Sequence, residues 1–175
     1  TSAVLHVYLE GDGAAWWGHR FPPSDPTPRT SVALPLALTD PHASVAYLAR
    51  PCQFLEASGR ADCPLQWWTH ARWGEAAVAL TAQALDRLQE VSAAREIVLV
   101  GHSGGGTLAL LVAVRRPVVR CVVTIASPLD LQAWSEGQGM TALNGSLNPA
   151  DLPVPAGGFQ ERHLLGDEDR VVPAS

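Results

Sequence analysis

The chain has 175 residues, enough for one domain with a sizeable buried core, and its 47% hydrophobic and 17% charged residues are those of an ordinary globular protein. A formal net charge of −5, with no basic stripe and no interleaving of basic and aromatic residues, speaks against a nucleic-acid-binding surface. All 12 of the lysine-plus-arginine positions are arginine, so within these residues no chemistry can rest on a lysine nucleophile, Schiff base or phosphate-loop lysine.

No apolar run reaches the roughly 18–20 residues of a membrane span. No basic segment followed by an apolar one marks a signal peptide. Thr1 and Ser2 nevertheless run at once into a strand pattern, so the chain reads as a mature or trimmed form.

Residues 4–10, "VLHVYLE", predict a first strand that ends in Gly11-Asp12-Gly13. A proline-rich stretch over 21–28 precedes "RTSVALPLALTD" (29–40), a predicted helix interrupted by Pro35. "SVAYLA" (44–49) predicts a second strand leading into a loop with Cys52 and Cys63. Ten residues separate these cysteines, a spacing that a disulfide could close into a surface loop; two unrelated thiols are the alternative. Residues 74–93 carry Val78, Leu80, Ala82, Leu85, Leu88 and Val91 at helical spacing and predict a long amphipathic helix.

"EIVLVG" (96–101) is an apolar third strand of the kind buried on both faces of a parallel sheet. Residues 104–115 predict the next helix, 118–127 a fourth strand with Cys121 as a small core residue, and 161–166 a fifth. Between the last two strands, residues 131–158 are rich in Gly, Asn and Pro and read as an excursion, a lid or pocket wall. Alternating strands and helices imply one α/β domain over 1–175, with a mostly parallel sheet flanked by helices. Its chemistry is then expected at the carboxyl ends of the strands.

One such end reads Gly101-His102-Ser103-Gly104-Gly105, the G-x-S-x-G pattern of a nucleophile elbow in its required strand–turn–helix setting. The turn forces the serine into an unfavourable backbone conformation, and glycines on either side keep strand and helix from clashing. Gly101-xxxx-Gly106 nearly matches a phosphate loop, but Thr107 stands where lysine is needed. A dinucleotide loop fails on glycine spacing. An incidental serine in a glycine-rich turn is the bland alternative.

This stretch, with "VYLEGDGAAW", "ARPCQF" and a later cysteine, "GSLNPADL" and "HLLGDEDRVVP", resembles the α/β-hydrolase superfamily over nearly the whole chain. Within it, the chain is similar to a group of bacterial α/β hydrolases of unassigned substrate, many of them exported or lipoprotein-like. The resemblance implies a serine hydrolase cleaving an ester or related acyl bond of a small molecule, with no cofactor and no metal. It implies Ser103 as nucleophile and Gly104, with Gly11 or Asp12, as oxyanion donors. It implies Asp169 as the triad acid, less so Asp130 or Asp167; Asp130 also reads as a helix N-cap. An exported or periplasmic location follows from the same resemblance, and a cytoplasmic one stays open.

The base is the gap. In this fold the triad histidine follows the acid, so it is expected beyond Ser175, in a chain truncated after the acid-bearing strand. His6 and His163 lie within predicted strands, His19 and His42 in loops, and His70 beside Trp67-Trp68. His102 adjoins the serine but is expected to point away from the site. A non-catalytic binding protein on a hydrolase scaffold is the rival reading, resting on that missing histidine. Tryptophans 16, 17, 67, 68 and 73 read either as an acyl pocket or as packing between loops.

Overall fold

The computed structural model describes residues 3–14, 21–153 and 158–173; Trp16, Trp17 and His19 lie outside that set. Strands β1 (Val4–Leu9), β2 (Val45–Leu48), β3 (Glu96–His102), β4 (Val119–Ile125) and β5 (Gln160–Leu164) form one sheet in the order β2-β1-β3-β4-β5. Every neighbouring pair is parallel. Helices α1 (Ala33–Thr39), α2 (Ala57–Arg60), α3 (Glu75–Ser92), α4 (Gly104–Ala113) and α5 (Leu131–Gly137) connect them. The chain steps from β1 out to β2, then returns past β1 to β3 and continues outward on the other side. The order therefore reverses between β1 and β3.

The core lies on one face of the sheet, where Leu5, Val7, Leu9, Ile97, Leu99 and Val122 meet α3 and α4. All ten residues of α4 are buried, which fits a helix with no polar side chain but Thr107, whose hydroxyl is satisfied by Pro128 O at 2.7 Å. In α3 the buried stripe is Ala77, Val78, Thr81, Ala82 and Leu85. Leu80 and Val91, counted among the apolar positions, are exposed, because they lie off that stripe on the helix.

Three other expectations are corrected. The helix around Pro35 is not interrupted: it begins at Ala33, which puts Pro35 in the first turn, where no intrahelical bond needs its missing N–H. β3 is not equally buried on both faces; Ile97, Leu99 and Gly101 are buried while Val98, Val100 and His102 are half-buried. Cys121 shares that second face and is a half-buried free thiol rather than a core residue. No helix among the described residues is long and apolar enough to cross a membrane.

Cys52 and Cys63 form a disulfide with a Cα–Cα separation of 6.0 Å, and α2 lies within the loop that it closes. Closing so short a loop removes about 2–3 kcal/mol of denatured-state freedom. Reduction is expected to lower the melting temperature by roughly 4–12 °C in a calorimetric scan, alkylated against oxidised protein.

At the amino-terminal edge of the sheet, Asp40 follows α1. Burial works to raise its pKa, but bonds from the His42 N–H, the His42 and His6 rings and the Tyr8 hydroxyl outweigh this and hold the carboxyl below the usual range. A depressed carboxyl stabilises the fold in full above its unfolded value of ~3.9, and that stability shrinks as pH falls below it. The gap in urea midpoint between wild type and Asp40→Asn should be narrower at pH 3 than at pH 7.

Candidate active site

Ser103 joins β3 to α4 with φ 51° and ψ −129°, a conformation that costs any residue with a Cβ on the order of 1–3 kcal/mol. The surroundings enforce it. Its N–H donates to Ile125 O at 2.8 Å, and its carbonyl accepts from the Gly106 N–H at 2.9 Å. A Cβ on Gly101 would stand 2.4 Å from the Gly106 backbone nitrogen, and one on Gly105 the same distance from Glu10 O. The glycines are therefore what allow the start of α4 to rest directly on β3 and on the end of β1.

A cleft of about 640 Å³ opens where the strand order reverses, lined by Glu10, Gly11, Asp12 and Arg29 on one side and by His102 and Ser103 on the other. In open α/β sheets such a reversal leaves a crevice at the carboxyl ends of the strands, where ligands bind. The Gly104 N–H, first in α4, has no acceptor among the described residues and adds the positive end of the helix dipole. Of the two loop residues considered as a second donor, Gly11 is occupied: its N–H donates to Glu10 Oε1 at 2.9 Å. The Asp12 N–H has no such partner among the described residues.

The Asp12 side chain lies against Gly104 so closely that a Cβ there would overlap the carboxylate. Arg50 Nη1 donates to Asp12 Oδ1, and Arg72 Nη1 reaches Oδ2 at 3.4 Å. Both guanidiniums are buried and lie over the Trp73 ring, Arg72 at 4.8 Å and Arg50 at 5.7 Å from its centroid. Trp73 Nε1 in turn donates to Gly104 O at 2.8 Å. Burial and the neighbouring Arg72 pull the Arg50 pKa down, Asp12 pulls it up, and a guanidinium stays charged throughout.

A second set of bonds fixes the same loop. Gln53 Nε2 donates to Gly11 O at 2.9 Å while its Oε1 accepts from the Arg50 N–H at 3.1 Å. Glu10, fully buried, accepts from Tyr47 Oη at 2.9 Å as well as from Gly11. Burial, together with Glu10, pushes the Tyr47 phenol up to about 12, so it remains a donor at any ordinary pH.

Asp169 follows β5, two strands beyond β3, which is roughly 10 Å across the sheet. Its Oδ1 accepts from the Val171 and Val172 N–H groups at 2.8 and 3.0 Å, and α5 holds the loop through Trp134 Nε1 and Gln138 Nε2 on the Val171 and Arg170 carbonyls. Asp167 and Glu168 are exposed at the turn before it. Asp130 caps α5, its carboxylate accepting from Gln132 and Ala133 N–H groups at 3.1 Å each.

His102 does not point away from the cleft; it lines it. β3 pairs with β1 on this side, so the ring projects toward Gly11, where a Cβ would meet Nδ1 at 3.2 Å. Burial lowers its pKa although Glu10, Asp12 and Asp169 draw it upward, which keeps the imidazole neutral at pH 7. Among the described residues, neither Ser103 Oγ nor Asp169 is hydrogen-bonded to a histidine. His163 bonds Thr124 at 2.8 Å, and His6 and His42 bond Asp40.

Sequence reasoning missed Arg50, Gln53, Arg72 and the position of Trp73. The first two stand inside "ARPCQF", a stretch quoted for resemblance without any role. Trp68 and Trp73 are packing residues, the former donating to Pro23 O at 3.0 Å. The "GSLN" stretch is a clamp: Ser146 Oγ donates to His70 O at 2.8 Å and Asn148 Oδ1 accepts from the Leu131 N–H at 2.8 Å.

No family model matches the sequence, and no curated protein matches it significantly. Solved structures do match. Est1E from Butyrivibrio proteoclasticus, with ferulic acid bound, is 15% identical and superposes with a TM-score of 0.53 over 97% of this chain and 71% of its own. A proline iminopeptidase from Mycobacterium smegmatis is 20% identical (TM-score 0.46; 78% of this chain), and this chain spans only 39% of its length. An acetylxylan esterase is 13% identical with a TM-score of 0.46, over 94% of this chain and 83% of its own. Together with the parallel sheet and the elbow, the likeness to Est1E gives this chain the α/β-hydrolase fold.

Proposed function

We propose that the protein is a serine hydrolase that cleaves an ester or related acyl bond through an acyl-enzyme. The observation that carries this reading is Ser103 held at φ 51° at the rim of a cleft that opens where the strand order reverses. A residue with a Cβ is strained at this turn, and a serine so placed between strand and helix is what nucleophilic catalysis uses.

In the proposed reaction a histidine beyond Ser175, oriented by Asp169, takes the Ser103 hydroxyl proton as Oγ attacks the acyl carbon. The resulting oxyanion accepts from the N–H groups of Gly104 and Asp12. The Asp12 carboxylate so close by would oppose that negative charge; its pairing with Arg50 and Arg72 offsets that effect. Collapse expels the alcohol, which receives the proton from the histidine. Water, deprotonated by the same histidine, then releases the acid and restores Ser103.

The likeness to Est1E, solved with ferulic acid bound, supports a carboxylic acid product and so an ester among the possible acyl bonds. In this reading α5 is a pocket wall: Trp134 and Ala133 face Val172 and Pro173 across a second cavity of about 390 Å³ beside the acid loop. The disulfide points to an oxidising compartment.

The test is a fluorophosphonate probe applied to protein purified from its native source, read by intact mass and peptide mapping. One adduct on Ser103, with turnover of short-chain aryl esters, is the expected result. A protein that forms no adduct and turns over no ester would instead be a binding protein on this scaffold.

A further inference from the structure

At the end of the sheet opposite Ser103, His6, Asp40 and His42 bring three ligand atoms within 4.8 Å of one another. His6 projects from β1, where register pairs it with Val45. Asp40 is the C-cap of α1, and His42 lies in the turn that leads to β2. His6 Nδ1 is 2.7 Å from Asp40 Oδ2, and His42 Nδ1 is 2.6 Å from Oδ1. The two rings lie against each other with centroids 3.8 Å apart. We propose that these three side chains form a binding site for one divalent transition-metal ion, zinc being the best match.

The donor set supports that choice. Two imidazole nitrogens and one carboxylate oxygen suit Zn²⁺ and its neighbours, whereas Mg²⁺ and Ca²⁺ take oxygen ligands almost exclusively. The carboxylate is fixed before any ion arrives: its side chain is 4% exposed, Tyr8 Oη donates to Oδ2 at 2.9 Å, and the His42 N–H donates to Oδ1 at 2.9 Å. Such outer bonds orient metal-binding carboxylates and sharpen affinity. Tetrahedral coordination at ~2.0–2.2 Å sets a nitrogen and the bound oxygen roughly 3.3 Å apart, a movement of about 0.6–0.7 Å from the present contacts of 2.7 and 2.6 Å. His42 can supply that movement, since its side chain is 56% exposed. The same exposure leaves a fourth position for water. On binding, the metal takes the Nδ1 lone pair of each ring, and any proton that Nδ1 shared with Asp40 moves to Nε2 or to solvent.

A bound ion would tie the first strand, the end of α1 and the entry to β2 at one point, far from the cleft. Its expected effect is therefore on stability. Tag-free protein stripped with EDTA is titrated with ZnCl₂ by calorimetry, and its melting temperature is followed with and without the metal. One ion per chain, with a melting temperature raised by several degrees, is expected; MgCl₂ should do neither. His42→Ala removes an exposed ligand and should melt like the metal-free wild type while binding Zn²⁺ at least 100-fold more weakly. His6→Gln should give the same loss if His42→Ala proves unstable. Absence of a zinc isotherm, or equal affinity in both variants, would overturn the site.

Discussion

Turnover by Ser103→Ala should fall by about 10⁴–10⁶ in kcat, with KM little changed, because no other group can form the acyl-enzyme. That loss corresponds to about 5–8 kcal/mol of transition-state stabilisation. A structural serine would behave otherwise, and a companion variant separates the two cases. Ser103→Gly also lacks the hydroxyl, yet glycine adopts φ 51° freely. It should be as inactive as the alanine variant and about 1 kcal/mol more stable to urea. If the alanine variant kept measurable turnover of short-chain esters above a few per cent, the assignment of Ser103 would fail.

Asp12→Ala is expected to destabilise the fold by about 3–5 kcal/mol, because it leaves two buried guanidiniums side by side with no counter-charge. For a chain of this size the melting temperature should drop by roughly 6–20 °C. Arg50→Met is the informative contrast. It removes one cation but leaves Asp12 paired with Arg72, so its cost should be distinctly smaller. Urea unfolding of both variants tests the order. A loss under 1 kcal/mol for Asp12→Ala would mean that water, not protein, balances those charges. The same network fixes the loop that lines the cleft beside Ser103.

Legibility followed sequence distance. The elbow was readable because its geometry is set by five consecutive residues, each glycine answering a contact within a few positions or on the adjacent strand. The strands were readable from apolar β-branched runs, and Asp130 from its place two and three residues ahead of the N–H groups that it caps. The Asp12–Arg50–Arg72 network was not, because its members stand 38 and 60 residues apart. Nothing in the local pattern of "ARPCQF" or "HARWG" marks a guanidinium as buried; only the fold that brings both against Asp12 and the Trp73 ring does so. The His6–Asp40 contact, 34 residues apart, was hidden for the same reason.

His102 shows the limit most clearly. Its position beside the serine was plain, but where its ring points depends on which strand lies next to β3 and on the glycine at residue 11 that leaves room for it. The sequence by itself determined the periodicities, the turn chemistry and the strand–turn–helix place of Ser103, since these depend on sterics within a few residues. Tertiary structure alone decided which carboxylates meet which cations, which loop N–H has no acceptor among the described residues and where the cleft opens. Those are properties of pairs brought together by packing, and charge and burial act through space rather than along the chain.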